Sequence, residues 1–170
     1  MAEPGIVKPA PKPATTLPDE VRAAIDALRP AYPTAEALVL PALHLAQEQF
    51  GGWLPDEAIL AVAAELELPP ARVYGVVTFY DLYHQRPVGR HRIRVCSNLS
   101  CTLRGAGEIL ETLRQQLGVD EDKVTADGRC SYVHFECLGA CEQAPMMMVD
   151  GEYHGPLTPD STRRIVEELD

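Results

Sequence analysis

Four of the five cysteines form two close pairs, and this spacing constrains the fold more than any other feature of the sequence. Four residues separate Cys96 from Cys101, three separate Cys137 from Cys141, and 35 lie between the two pairs. Each pair follows a stretch predicted to be a β-strand, so both pairs are expected on loops that leave the strand ends of one sheet. The four thiols can then converge as ligands of zinc or of an iron–sulfur cluster.

The spacing alone leaves the identity of the bound group open. Structural zinc sites favour C-x₂₋₄-C pairs, so C-x₄-C lies at the edge of their range. The plant-type ferredoxin pattern C-x₄-C-x₂-C needs a third cysteine where this protein has Arg104. The sequence has no C-x-x-C motif, which disfavours thiol–disulfide exchange. Four-cysteine ligation is therefore the leading interpretation, and Cys130, without a near partner in the sequence, is expected to be a free thiol.

The residues beside the cysteines favour an anionic cluster over a bare structural metal. A helix is predicted to begin directly after Cys101, and the N–H groups and positive dipole end of a helix start favour thiolate charge. Residues 138–140, between Cys137 and Cys141, are small or apolar and let the backbone approach the sulfurs and donate hydrogen bonds. Such bonds tune the reduction potential of a cluster.

The hydrophobic pattern divides the chain into a tail and two regions. Residues 1–16 are rich in proline and are predicted to be a flexible tail. Residues 17–86 carry apolar residues at helical spacing, which predicts a small helical bundle. Its second helix is predicted over residues 35–50, with Pro41 as a kink or as the true start. Residues 87–170 read as strand, helix, strand, hairpin and helix, so the fold class is α+β.

Charge and hydropathy exclude two broad classes of function. The chain has 25 acidic and 15 basic residues, a net charge of −10, which speaks against a general nucleic-acid binder because phosphate contacts need clustered cations. No apolar run approaches the roughly 18–20 residues that a membrane span requires. The N-terminus lacks the apolar core of a signal peptide, so a cytoplasmic location with reduced cysteines is expected.

The motifs around the cysteines resemble those of the small iron–sulfur subunit of NADH dehydrogenases. This is the E-type subunit family of NADH-quinone oxidoreductase (respiratory complex I), whose members are thioredoxin-like 2Fe-2S ferredoxins. The resemblance extends from about residue 18 to the end of the sequence. The segments that carry it are Cys96-Ser-Asn-Leu-Ser-Cys101, Glu136-Cys137-Leu-Gly-Ala-Cys141, Gln49 to Pro55, Gly75 to Tyr80, Pro87 to Gly89 and Leu157-Thr158-Pro159.

The resemblance implies the architecture and the ligands of the site. A helical bundle would be followed by a thioredoxin-like α/β domain with a four-stranded mixed sheet. One 2Fe-2S cluster would be bound by Cys96, Cys101, Cys137 and Cys141 as metal ligands, with no catalytic residue in the chain.

The resemblance also implies the partners. Relatives exchange single electrons with a flavin on a subunit that oxidises NADH, so FMN and NADH are expected on that partner only, beside further iron–sulfur subunits. The chain has no complete G-x-G-x-x-G fingerprint, so it is expected to be a non-hydride-transferring subunit of an NADH:quinone oxidoreductase. It would lie peripheral to the inner membrane in a larger complex, without direct membrane insertion and without nucleic acid.

Two alternatives stay open on the sequence. The same motifs fit the small diaphorase subunit of an NAD-dependent formate dehydrogenase or hydrogenase. A protein of another class, a redox-inactive scaffold stabilised by zinc, would use the same four cysteines.

Overall fold

The computed structural model describes residues 16–169. The predicted proline-rich tail falls almost entirely on residues 1–15, outside the described residues. The chain divides between Arg86 and Pro87 into two compact units. Within residues 16–169, no helix combines the length and the apolar character needed to cross a bilayer.

The first unit is built from four short helices around an aliphatic core. Each helix buries the apolar face that its spacing predicts, with Ile25, Leu43, Ile59 and Val73 fully buried. The helices are α1 (Asp19–Leu28), α2 (Val39–Gln49), α3 (Asp56–Glu65) and α4 (Pro70–Phe79), with a 3₁₀ turn at Arg29–Ala31.

The second helix starts later than the sequence indicates. It begins at Val39, so Pro41 lies in its first turn. The missing N–H of a proline interrupts no intrahelical bond there, which is why the residue is accommodated without a break. Of the two alternatives for Pro41, the structure shows the one in which it lies near the true start of the helix.

The second unit combines a four-stranded mixed sheet with three helices. The strand order is β2-β1-β3-β4. β1 and β2 are parallel, while β1–β3 and β3–β4 are antiparallel. The elements are β1 (His91–Cys96), α5 (Leu99–Leu103), α6 (Ala106–Leu117), β2 (Cys130–Phe135), a 3₁₀ turn at Cys141–Gln143, β3 (Met147–Val149), β4 (Glu152–His154) and α7 (Pro159–Glu167).

The core of this unit lies between the sheet and two helices. Ile93 and Val95 alternate along β1 and lie in one buried cluster with Ile109 and Leu113 of α6 and Val166 of α7. The predicted fold class, α+β with a four-stranded mixed sheet, is confirmed.

Candidate metal centre

The parallel pairing of β1 and β2 brings the two cysteine segments to one edge of the sheet. Cys96, the last residue of β1, is the register partner of Phe135, the last residue of β2. The two strands run in the same direction, so the chain leaves both at this edge. Cys137 follows two residues beyond Phe135, and Cys141 begins the 3₁₀ turn.

The local structure around Cys101 differs from the sequence-based expectation. Cys101 lies inside the short helix α5, whose N-cap Asn98 accepts a hydrogen bond from the N–H of Leu99 at 2.8 Å. A separate helix, α6, begins only after Gly105, which has φ of +100°. Glycine adopts this left-handed conformation without steric cost, so the chain can turn there between two helices. The prediction that a helix begins directly after Cys101 was therefore wrong.

The four thiols lie at different depths and influence one another electrostatically. Cys96 and Cys101 are buried, whereas Cys137 and Cys141 are exposed. The Cys101 and Cys137 thiols lie near enough to the Cys96 sulfur to lower its pKa through hydrogen bonding. Cys101 also lies close enough to Cys141 for their charges to interact. Each cysteine of the first pair is thus linked to a different cysteine of the second pair.

Nearby backbone N–H groups act to lower the pKa values of the two buried thiols. Burial raises the pKa of the Cys96 thiol, but hydrogen bonds from the backbone N–H groups of Asn98 and Leu138, together with those from the neighbouring thiols, outweigh burial and leave the pKa below its usual value. Burial and the hydrogen bond with Cys96 raise the pKa of Cys101 to about 11, although the N–H of Met146 acts in the opposite direction. The site therefore favours negative charge on the Cys96 sulfur over negative charge on the Cys101 sulfur.

The surroundings of these sulfurs fit an iron–sulfur cluster. Cys96 and Cys101 belong to a buried cluster of small and apolar residues that includes Leu138, Ala144 and Met146. An anionic cluster is stabilised by N–H groups directed at its sulfur ligands and by exclusion of water, and both features are present. A 2Fe-2S cluster with four cysteine ligands needs two thiolates on each iron, and four neighbouring thiols supply that number.

The described residues contain no group of three or more His, Cys, Asp or Glu side chains arranged to hold a single metal ion.

The fifth cysteine lies away from this group. Cys130 is the first residue of β2, and its register partner is His91 at the start of β1. β2 is six residues long, so its first residue lies about 17 Å from the sheet edge where Cys96 is found. Cys130 is fully buried and is a free thiol, and burial raises its pKa.

Two residues whose roles the sequence does not indicate hold the loops at the site. The Nε of Arg104 donates to the carbonyl of Ala144 at 3.1 Å, and the hydroxyl of Tyr153 donates to the carbonyl of Leu138 at 2.8 Å. The partners are 40 and 15 residues apart in the chain, so neither spacing nor periodicity carries a signal for these contacts. Only the folded sheet brings them together.

Known proteins resemble this one in sequence and in structure. The family model "Thioredoxin-like [2Fe-2S] ferredoxin" matches residues 25–170. The E subunit of NADH-quinone oxidoreductase from Rickettsia bellii (strain RML369-C) is 44% identical over 131 residues, which are 77% of this chain and 78% of that protein. The protein of the same name from Pseudomonas aeruginosa PAO1 is 39% identical over 136 residues, 80% of this chain and 81% of that protein.

Among solved structures, an NAD⁺-reducing [NiFe]-hydrogenase in the H₂-reduced state superposes with a TM-score of 0.67 at 22% sequence identity. The match covers 81% of this chain but only 23% of the hydrogenase chain, and it shows a shared fold. The sequence matches confirm the resemblance to the E-type subunits of NADH-quinone oxidoreductase. With a family model that spans residues 25–170, this chain belongs to the thioredoxin-like [2Fe-2S] ferredoxin family.

Proposed function

We propose that this chain is the 2Fe-2S electron-transfer subunit of an NADH dehydrogenase module, in NADH:quinone oxidoreductase, and that Cys96, Cys101, Cys137 and Cys141 bind the cluster. The observation that carries the proposal is the meeting of these four thiols at one sheet edge, with backbone N–H groups beside the two buried sulfurs. Relatives of 44% and 39% identity, both E-type subunits of NADH-quinone oxidoreductase, support the assignment to this module.

The chain's own residues prepare the site for an anionic group. When bound, a 2Fe-2S cluster accepts and releases one electron at a time. The N–H groups of Asn98, Leu138 and Met146 stabilise negative charge on the sulfurs, and the apolar residues around Cys96 and Cys101 exclude water from the inner side. Cys137 and Cys141 are exposed, so the site is open to a partner on its outer side.

Hydride transfer belongs to a different subunit in this proposal. A hydride carries two electrons, and a one-electron centre cannot accept it alone, so a flavin is required. FMN and NADH therefore bind the partner subunit, and this chain is a non-hydride-transferring component that lies beside further iron–sulfur subunits. Within the complex it lies peripheral to the inner membrane.

The surface around the exposed thiols fits such a partner. Leu99 and Leu103 are 69% and 77% exposed and lie one turn apart on α5, on either side of the buried Cys101. Exposed Glu136 and Glu142 lie next to Cys137 and Cys141. A partner surface with an apolar centre and basic residues at its rim would complement this arrangement.

Introducing charge at the apolar centre of this surface is expected to weaken the complex. Leu103→Glu should raise the Kd for the flavin-bearing subunit by about fivefold or more, because truncating or charging a central interface residue costs more than about 1 kcal/mol. The measurement is a binding titration with both subunits loaded with their cofactors. Ala126→Glu, which adds the same charge at an exposed loop before β2, should bind like the parent. Equal affinity of Leu103→Glu and the parent would contradict the docking proposal.

The function is tested by metal analysis and electron paramagnetic resonance (EPR) on the full chain, purified without oxygen. We expect two irons and two sulfides per chain, the stoichiometry of the family's 2Fe-2S cluster, and a spin-half signal after dithionite reduction. Stoichiometric zinc, with no iron and no signal even after anaerobic reconstitution, would refute electron transfer and leave the scaffold alternative.

A further inference from the structure

A tyrosine on the sheet's outermost hairpin contacts the loop that carries the second cysteine pair. Tyr153 lies on β4, opposite Met148 of β3. Its side chain is 49% exposed, but its hydroxyl group reaches inward and donates to the carbonyl oxygen of Leu138 at 2.8 Å. Leu138 directly follows Cys137, so this bond connects the hairpin to the loop between Cys137 and Cys141.

Leu138 is fixed on its other side by the first cysteine of the site. Its side chain is only 8% exposed and packs in the apolar cluster with Cys96. Its backbone N–H lies beside the Cys96 sulfur, near enough to lower the pKa of that thiol. One residue thus accepts a bond from Tyr153 through its carbonyl and places its N–H beside the Cys96 sulfur. The position of the Leu138 backbone decides how well that N–H is aimed.

We propose that Tyr153 is a positioning residue for the cluster, whose hydroxyl group holds Leu138 so that its N–H points at the Cys96 sulfur and raises the cluster's reduction potential. A hydrogen bond to a ligand sulfur stabilises the reduced form, which carries one more negative charge, more than the oxidised form. The inference rests on the proposed function, in which Cys96 is a ligand.

The hydroxyl group, and not the ring, is the functional part of Tyr153. Tyr153 is half-exposed and lies opposite Met148, which packs against the apolar cluster at the site. Phenylalanine keeps the ring and removes only the donor to the Leu138 carbonyl. Tyr153→Phe therefore tests the hydrogen bond without creating a cavity.

The experiment is potentiometry on the cluster-loaded full chain, monitored by EPR. For Tyr153→Phe we expect a more negative reduction potential, by up to about 59 mV, which corresponds to a tenfold change in the one-electron equilibrium. Iron and sulfide content should equal those of the parent. Before cluster loading, the Leu138 amide should exchange its hydrogen several-fold faster in the variant than in the parent, which reports the loosened backbone directly.

A matched control removes the same kind of bond elsewhere in the second unit. The Tyr132 hydroxyl donates to the carbonyl of Val119 at 3.2 Å. Tyr132→Phe should therefore leave the reduction potential unchanged. An unchanged potential in Tyr153→Phe, an equal shift in Tyr132→Phe, or loss of iron in Tyr153→Phe alone would each overturn the positioning role. Failure of the parent itself to bind iron would instead refute the proposed function and remove the basis of this inference.

Discussion

Replacing Cys101 with alanine is expected to abolish cluster binding, whereas replacing Cys130 with alanine is expected to preserve it. The first substitution removes one of two thiolates from an iron, and a vacant position cannot be filled by the apolar residues around it. Loss of a residue that merely supports a metal ligand costs 10–100-fold in affinity, so loss of the ligand itself should cost more. Iron and sulfide analysis with EPR on reconstituted protein provides the measurement.

The two cysteines make a well-matched pair for this comparison. Cys101 and Cys130 are 1% and 0% exposed, so each substitution deletes one buried sulfur and leaves a similar small cavity. A general loss of stability should therefore affect both variants alike. Iron retained at the parental level by Cys101→Ala, or lost equally from both variants, would contradict the ligand assignment.

The overall fold could be predicted because its strands and helices carry strong local signals. Ile93 and Val95 alternate with polar residues in β1, and the Asp150-Gly151 turn connects β3 to β4. The positions of the cysteines after two such strands were sufficient to place both pairs at one edge, and the parallel register of Cys96 with Phe135 explains why.

The helix around Cys101 was predicted incorrectly because it is short and its limits depend on single residues. Helix α5 has five residues, too few for the 3.6-residue periodicity to be recognised. The Asn98 cap sets the start of α5, and Gly105 separates α5 from α6. Both residues act through capping or turning of the chain, which a hydrophobic pattern does not reveal. The sequence did contain one signal for the start of α5, because Asn98, a residue type that favours helix N-caps, precedes the apolar Leu99.

The contacts that complete the site could not be predicted from the sequence. The bonds from Arg104 to Ala144 and from Tyr153 to Leu138 join segments that are distant in the chain. Sequence patterns describe which face of an element is buried, whereas these bonds depend on how the elements pack. The assignment of the four cysteines as ligands stays a prediction that the variants above test.

Replacing Gly155 with alanine is expected to destabilise the second unit and to disturb the cysteine loops. A Cβ at this position would lie 2.9 Å from the Cβ atoms of Gln143 and Met146, and closer still to the carbonyl oxygen of Gln143. The obstacle includes backbone, which cannot rotate away as a flexible side chain can. The segment from Gln143 to Met146 must therefore shift, and with it the Met146 N–H, which lies beside the Cys101 sulfur and lowers its pKa.

The expected cost is about 2–3 kcal/mol in the free energy of unfolding, the upper part of the range typical for overpacking. Denaturant unfolding of the cluster-free protein measures this cost, and iron content after reconstitution should fall in parallel.

Gly107→Ala is the matched control, because a Cβ at that position in α6 meets nothing within 4 Å. Alanine is the better helix former, so this variant should be up to about 1 kcal/mol more stable than the parent. If Gly155→Ala were as stable as Gly107→Ala, the close approach of the Gly155 backbone to the cysteine loop would not constrain this unit. Both variants replace glycine with alanine, but the free energy of unfolding is expected to fall in one and to rise in the other. This difference separates a steric effect at the site from the general effect of adding a methyl group.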